Sequence, residues 1–229
     1  PYEVAGADRQ VMAQDFDGTA DYITVPANSL NAMESANTIF VSSWVYMDSL
    51  ATDGTLIGQF ETPSQFLLYM DAGDLIPNYR FGISGITFTS TDLGAALLNT
   101  WQLVHGTWNG STLSVYIDGN HSNSATLTGT LGSSTYDAAI GSDDATSATR
   151  LLNGKSHNVR IASVIPATIA DYIKSEYNNQ SAPATFWTTG TWEDQDPIRY
   201  GTTITVATGE MPSSQSNFSW VITEANFPT

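Results

Sequence analysis

The stretch Trp101 to Asn120, WQLVHGTWNGSTLSVYIDGN, decides the fold, because it specifies a β-hairpin at three levels. In its second half Leu113, Val115 and Ile117 alternate with Thr112, Ser114 and Tyr116, the period-two pattern of a strand with one buried face. Asn109-Gly110 supplies the turn, since both residues tolerate positive φ, and Asp118-Gly119 punctuates the exit. The first half, Trp101 to Trp108, carries apolar groups on both faces, as a strand inside a two-layer sandwich would.

Outward from the hairpin, the chain repeats short β-prone runs at intervals of about ten residues, the spacing of a sandwich or barrel. Asp15 to Pro26 reads as turn, then strand, and Thr38 to Met47 as a central strand with large side chains on both faces. Further strands are expected at Thr55 to Phe60, Gln65 to Met70, Tyr79 to Ile83, Ile86 to Thr89, Ala138 to Gly141 and Asn158 to Val164. One helix is expected after Pro166, with Ile169, Ile173 and Tyr177 at i, i+4 and i+8 and Asn178-Asn179 ending it in a left-handed conformation. It is short, and is expected to act as a lid on one edge of the sandwich. The expected organisation is a lead-in over 1–14, a jelly-roll domain over 15–187, an acidic linker over 188–197 and C-terminal strands over 198–229.

The 229 residues suffice for a substantial core. Cysteine is absent, which excludes disulfides and thiolate metal sites. Only 13% of residues are charged, yet 23 acids against 7 bases leave a formal net charge of −16. That balance repels phosphate backbones and anionic lipid, so neither nucleic acid nor a membrane surface is an expected partner. No apolar run approaches the roughly 20 residues of a membrane-spanning helix, and no signal peptide is visible. Beginning at Pro1 rather than Met, the chain is expected to be processed or cut from something longer.

Five stretches together resemble the laminin-G-like jelly rolls of the concanavalin A-like lectin and glucanase superfamily: FDGTADYITVP at 16–26, TIFVSSWVYMD at 38–48, the hairpin, AAIGS at 138–142 and LNGKSHNVRIA at 152–162. The resemblance covers about Asp15 to Trp187 and implies an all-β, two-sheet antiparallel sandwich. The segment ATIADYIKSEYNNQSAPATFW is similar to the closing segment of such modules in large secreted bacterial and phage proteins. IRYGTTITVATGEMPSSQSNFSWVITEANFP, at 198–228, is similar to the opening strands of a β-rich companion domain. The resemblance therefore implies an incomplete second domain with unpaired strand edges, and an extracellular, cell-surface or virion setting.

Many members of this superfamily hold calcium. The resemblance places its ligands at Asp17, the Gly18 carbonyl and the Asn158 amide, hard oxygen donors of the kind calcium takes. Asn158 stands where the family commonly has an acid, so one ligand charge is missing.

Glycan binding needs aromatic rings that stack on sugar faces beside groups that hydrogen-bond hydroxyls. Trp44, Tyr46, Tyr69, Tyr79 and Trp108 lie on expected strands or strand ends and are the candidates, with core packing the competing use of each. A glycoside hydrolase would need two carboxylates flanking the scissile bond. Glu193-Asp194-Gln195-Asp196 lacks the interleaved apolar residues of a buried strand and precedes a proline, so it reads as a solvated linker. The three histidines, His105, His121 and His157, form no triad or metal spacing. The leading expectation is a non-catalytic glycan-binding or adhesion module of a larger structural protein. The alternatives are an assembly subunit whose C-terminal strands pair with a neighbouring copy, and a hydrolase or lyase.

Overall fold

The computed structural model describes residues 13–30, 37–60, 66–73, 76–84, 88–128, 131, 134–146 and 149–182, with the side chains of 84 and 88–93 excepted. The chain divides into two units, Pro1–Phe186 and Trp187–Thr229, and the described residues belong to the first. The expected lead-in is described only from residue 13, and the expected linker and C-terminal strands lie outside the described residues.

Twelve strands are described: β1 (Gln14–Asp17), β2 (Ile23–Val25), β3 (Ile39–Met47), β4 (Gly54–Gln59), β5 (Phe66–Asp71), β6 (Asn78–Ser84), β7 (Phe88–Ala95), β8 (Trp101–Trp108), β9 (Thr112–Ile117), β10 (Asn120–Thr126), β11 (Ala138–Ile140) and β12 (Asn153–Ala162). They form two six-stranded sheets: sheet I in the order β1-β12-β3-β8-β9-β10, and sheet II in the order β2-β11-β4-β5-β6-β7. The pairings within both sheets are antiparallel.

The core lies between the sheets. Sheet I contributes Ile39, Val41, Val45 and Met47 from β3, Val104 and Trp108 from β8, and Leu113 and Val115 from β9. Sheet II contributes Leu56, Phe66, Leu68, Met70, Tyr79, Phe81 and Ile83. Alternation along each strand sets these residues inward, as the period-two pattern requires. At Gly106 the two layers meet closely: a Cβ there would stand 2.5 Å from Cγ of Phe81. Glycine leaves the room that the phenyl ring takes.

The hairpin forms where it is expected, with a different turn. Gly110 has φ +89° but Asn109 is not among the residues with positive φ. The Asn109 side chain closes the loop instead, its Oδ1 accepting from the backbone N–H groups of Ser111 (3.0 Å) and Thr112 (2.8 Å) and from the Ser111 hydroxyl (3.0 Å). Asp118 and Gly119, at φ 51° and 76°, then turn β9 into a further strand, β10. β10, sequence NHSNSAT, lies outside the expected strands: six of its seven residues are exposed, and an exposed edge strand shows no apolar alternation.

β12 begins five residues before the expected Asn158, at Asn153, and ends at Ala162 rather than Val164. Its register shifts between His157 and Arg160, and Asn158 at φ 53° sits in that irregularity.

The helix, α1 (Ile169–Ser181), starts later than Pro166 and runs through Asn178-Asn179. Its last turn is held by two tertiary contacts, Gln180 Oε1 accepting from Trp44 Nε1 (2.5 Å) and Asn158 Nδ2 (3.3 Å), and by one within the helix, Gln180 Nε2 donating to Glu176 Oε1 (2.9 Å). Nor is it an edge lid. Ile173, with Ile165 and Ile169, packs on Phe40 of β3 and Tyr116 of β9, so α1 lies across the outer face of the central strands of sheet I.

Candidate functional site

A sandwich has two outer faces, and α1 closes one of them. Beneath it, Trp44 stacks on Tyr177 with ring centroids 5.9 Å apart, and Phe40 meets Tyr172 edge-on. His105, fully buried, places Nε2 3.3 Å from Glu176 Oε2, and the other carboxylate oxygen of Glu176 takes Arg160 Nη1 at 2.5 Å. Burial raises the Glu176 pKa, but His105, Arg160 and Gln180 together outweigh it and leave the carboxyl below its ordinary value.

The outer face of sheet II carries no helix among the described residues. β5 directs Phe66, Leu68 and Met70 inward, so Leu67, Tyr69 and Asp71 point outward; β6 correspondingly turns Asn78, Arg80 and Gly82 outward. Arg80 stands directly opposite Tyr69 in the register, and its Nη1 lies 2.7 Å from Asp71 Oδ2.

The loop between β11 and β12 folds over one end of this face. The Phe60 N–H donates to the Asp143 carbonyl (3.0 Å), and the Thr55 N–H to the Arg150 carbonyl (2.8 Å). A Cβ on Gly58 would stand 2.7 Å from that Asp143 carbonyl oxygen, so glycine is what admits the loop. Asp143, 3% exposed in its side chain, accepts from the Thr149 N–H (2.8 Å) and hydroxyl (2.5 Å) and from Arg150 Nη1 (2.9 Å). Arg150, at φ 46°, reaches back over the sheet: its Cζ lies 5.3 Å from the Phe60 ring centroid and 5.9 Å from that of Tyr69, and its Nε is 3.4 Å from Asp53 Oδ2.

The result is a continuous array of Asp53, Arg150, Tyr69, Arg80 and Asp71, with Phe60 beneath the guanidinium of Arg150. Burial raises the Tyr69 hydroxyl pKa above the usual tyrosine range, against the pull of Arg80 beside it. Planar donors and carboxylate acceptors on one face are groups that hydrogen-bond a polyhydroxylated ligand, while the rings of Phe60 and Tyr69 lie under Arg150.

Of the five aromatic residues expected to touch a sugar, Tyr69 alone belongs to this array, and its ring is covered by Arg150. Trp44 is buried under α1. Tyr79 lies wholly inside the sandwich, its hydroxyl donating to Gln102 Oε1 (3.0 Å), and Trp108 is likewise a core residue, its indole donating to the Leu127 carbonyl (2.9 Å). Tyr46 is half-buried beside Trp101 at the end of sheet I, with Lys155 Nζ 5.1 Å from its ring centroid.

The calcium set is not brought together. Asp17 is paired in register with Asn153, and Asn158 lies five residues further along β12, on the order of 15 Å away. The Asp17 carboxylate is engaged locally, accepting from the Thr19 N–H (2.8 Å) and hydroxyl (2.6 Å) and the Ala20 N–H (3.0 Å). Thr19 and Ala20 hold its pKa down to about 2. Asn158 turns toward Gln180 and Arg160 instead. Among the described residues no cluster of three or more His, Asp or Glu side chains has metal-holding geometry.

Sequence reasoning missed Arg80, Arg150, Asp53 and Asp143. The signal available was the polar segment between Gly141 and Asn153, whose Asp143-Asp144 pair is followed by a single arginine. A cavity of about 450 Å³ opens elsewhere, between β12 and α1, lined by Phe40, Val159, Ile161, Val164 and Tyr172 with Arg160 at its side. It is mainly apolar and lies away from the array.

No curated protein matches the sequence. Among solved structures of similar fold are three from different settings. The native heptameric SAP-like pentraxin of Limulus polyphemus superposes with TM-score 0.54 at 14% identity, covering 71% of this chain and 80% of that one. The receptor binding domain of a botulinum neurotoxin C/D mosaic serotype gives 0.56 at 18%, over 73% of this chain and 45% of that one. The CBM40 of a Ruminococcus gnavus IT-sialidase, bound to α2,3-sialyllactose, gives 0.53 at 11%, over 73% and 98%. The sequence model of the concanavalin A-like lectin/glucanase superfamily matches residues 17–168, more than half of the chain. With two antiparallel six-stranded sheets enclosing one core, and that match along the strands that build them, the chain belongs to the concanavalin A-like lectin/glucanase superfamily.

Proposed function

We propose that the chain is a non-catalytic glycan-binding module, displayed outward by a larger cell-surface or virion structural protein in which it serves adhesion. The observation that carries this reading is the Asp53–Arg150–Tyr69–Arg80–Asp71 array on the outer face of sheet II, which carries no α-helix among the described residues. Carboxylate oxygens accept from sugar hydroxyls and guanidinium N–H groups donate to them, so vicinal diols meet paired partners. The CBM40 of similar fold, bound to sialyllactose, supports glycan binding by such a scaffold.

Non-catalytic is favoured by the state of the acids. Glycoside hydrolysis needs one carboxyl free to give a proton and a second free to attack or to activate water. On this face Asp71 is held by Arg80, and Asp53 and Asp143 by Arg150.

The test is a glycan array probed with the whole chain, followed by titration of the best glycans against Arg80→Ala. That change removes a donor from the array; because Arg80 is only 21% exposed and holds Asp71, circular dichroism must show the fold intact. Loss of binding by about tenfold or more supports the reading, as expected for charge-assisted hydrogen bonds. Absence of binding to every glycan overturns it, and unchanged affinity in a folded Arg80→Ala variant overturns the placement of the site at this array.

A further inference from the structure

We infer that the sheet II face selects neutral glycans and discriminates against acidic ones, a deepening that rests on the glycan-binding reading. The two guanidiniums of the array are already matched by acids. Arg80 faces Asp71 at 2.7 Å, and Arg150 faces Asp143 at 2.9 Å and Asp53 at 3.4 Å. With Asp143, which also binds Arg150, counted beside the array's own Asp53 and Asp71, two cations face three carboxylates, an excess of one negative charge. Recognition of a sugar carboxylate, sulfate or phosphate is strengthened by an uncompensated cation at close range, and a guanidinium bound to carboxylates offers its donors without that net attraction.

The surroundings point the same way. The whole chain has a formal net charge of −16, so the long-range field also opposes an anion. A neutral hydroxyl pair meets no such penalty, since it donates to Asp53 or Asp71 while accepting from Arg150 or Arg80. The rings do not change this balance: the Arg150 guanidinium lies over Phe60 and Tyr69, at 5.3 and 5.9 Å from their centroids, and they help to hold it in place.

Asp53 is the residue to change. Its side chain is 34% exposed, Oδ2 faces Arg150 Nε, and Oδ1 accepts from the Ala72 N–H at 3.0 Å. Asp53→Asn keeps an acceptor for Ala72 and removes one carboxylate charge from beside Arg150.

The experiment probes the whole chain, and the Asp53→Asn variant, on an array of glycans matched in core structure with and without terminal sialic acid, uronic acid or sulfate. Affinities are measured at low and raised salt. Neutral glycans should dominate, with acidic counterparts about tenfold weaker at low salt and the gap narrowing as salt rises. Asp53→Asn should narrow the gap at constant salt by strengthening acidic binding. Acidic glycans binding as tightly as neutral ones, or a gap that Asp53→Asn leaves unchanged, overturns this inference while leaving glycan binding in place. Binding to no glycan at all overturns the glycan-binding reading and this inference with it.

Discussion

The His105 Nε2 atom lies 3.3 Å from Glu176 Oε2, with both side chains enclosed between sheet I and α1. Glu176 also takes Arg160 and Gln180, so one carboxylate gathers partners from β8, β12 and the helix itself. This is the polar tie that fastens α1 over the sheet.

Removing the carboxylate should loosen that tie. Glu176→Ala leaves His105 buried and Arg160 without its acid, and should lower unfolding free energy by about 3 kcal/mol. Chemical denaturation checks this; a change within about 0.5 kcal/mol would mean that apolar packing of Ile173 alone holds the helix.

The same group makes stability depend on acid. Its folded pKa lies below its unfolded value near 4.5, so its contribution is present above that pH and fades as pH falls through the lowered folded value. Glu176→Gln should flatten the stability profile below about pH 4.5. Thermal melts of both proteins across that window test it, and profiles of equal slope would contradict it.

Asp17 acts in the same direction at a lower range. Thr19 and Ala20 hold it at about 2 against an ordinary 3.8, so its stabilisation is complete above pH 4 and lost as pH falls toward 2. Titration of the Asp17 carboxyl by NMR should give a midpoint near 2 in the wild type and move toward 3.8 in Thr19→Ala, which deletes the hydroxyl donor and keeps the backbone ones.

Gly106 is fixed by packing rather than by its backbone angle. Gly106→Ala would drive a methyl group to 2.5 Å from the Phe81 ring, and should cost about 1 to 3 kcal/mol. Pairing it with Phe81→Leu should recover part of that loss, because the smaller side chain returns space. A double mutant whose loss equals the sum of the two single ones would show that the two sites do not share a void.

The Asn109 turn offers a local test. Asn109→Ala removes three hydrogen bonds within the β8–β9 loop and should destabilise by about 1 kcal/mol, whereas Asn109→Asp keeps the acceptor and should cost much less. Equal losses for both would place the effect in the backbone.

Periodicity made the sandwich legible. Leu113, Val115 and Ile117 alternate because one face of β9 is buried, and Ile39 to Met47 is apolar on both faces because β3 has the core on one side and α1 on the other. Where that cause is missing, the signal is missing too. β10 has no buried face to mark it, and the end of α1 is set by Gln180 reaching Trp44 and Asn158, contacts from residues 136 and 22 positions away in the chain.

The functional face follows the same division. Alternation marks Tyr69 as outward-facing relative to Leu68 and Met70, and composition alone makes the protein an anion with few cations to place. Which aromatic rings are covered, and that Arg150 crosses from a loop to lie over Phe60 and Tyr69 between Asp53 and Asp143, depends on how the β11–β12 loop folds back across sheet II. Local sequence governs strand, turn and the side to which a residue points, because those follow from φ, ψ and solvent. The joining of charges about a hundred residues apart follows only from the closure of the two layers.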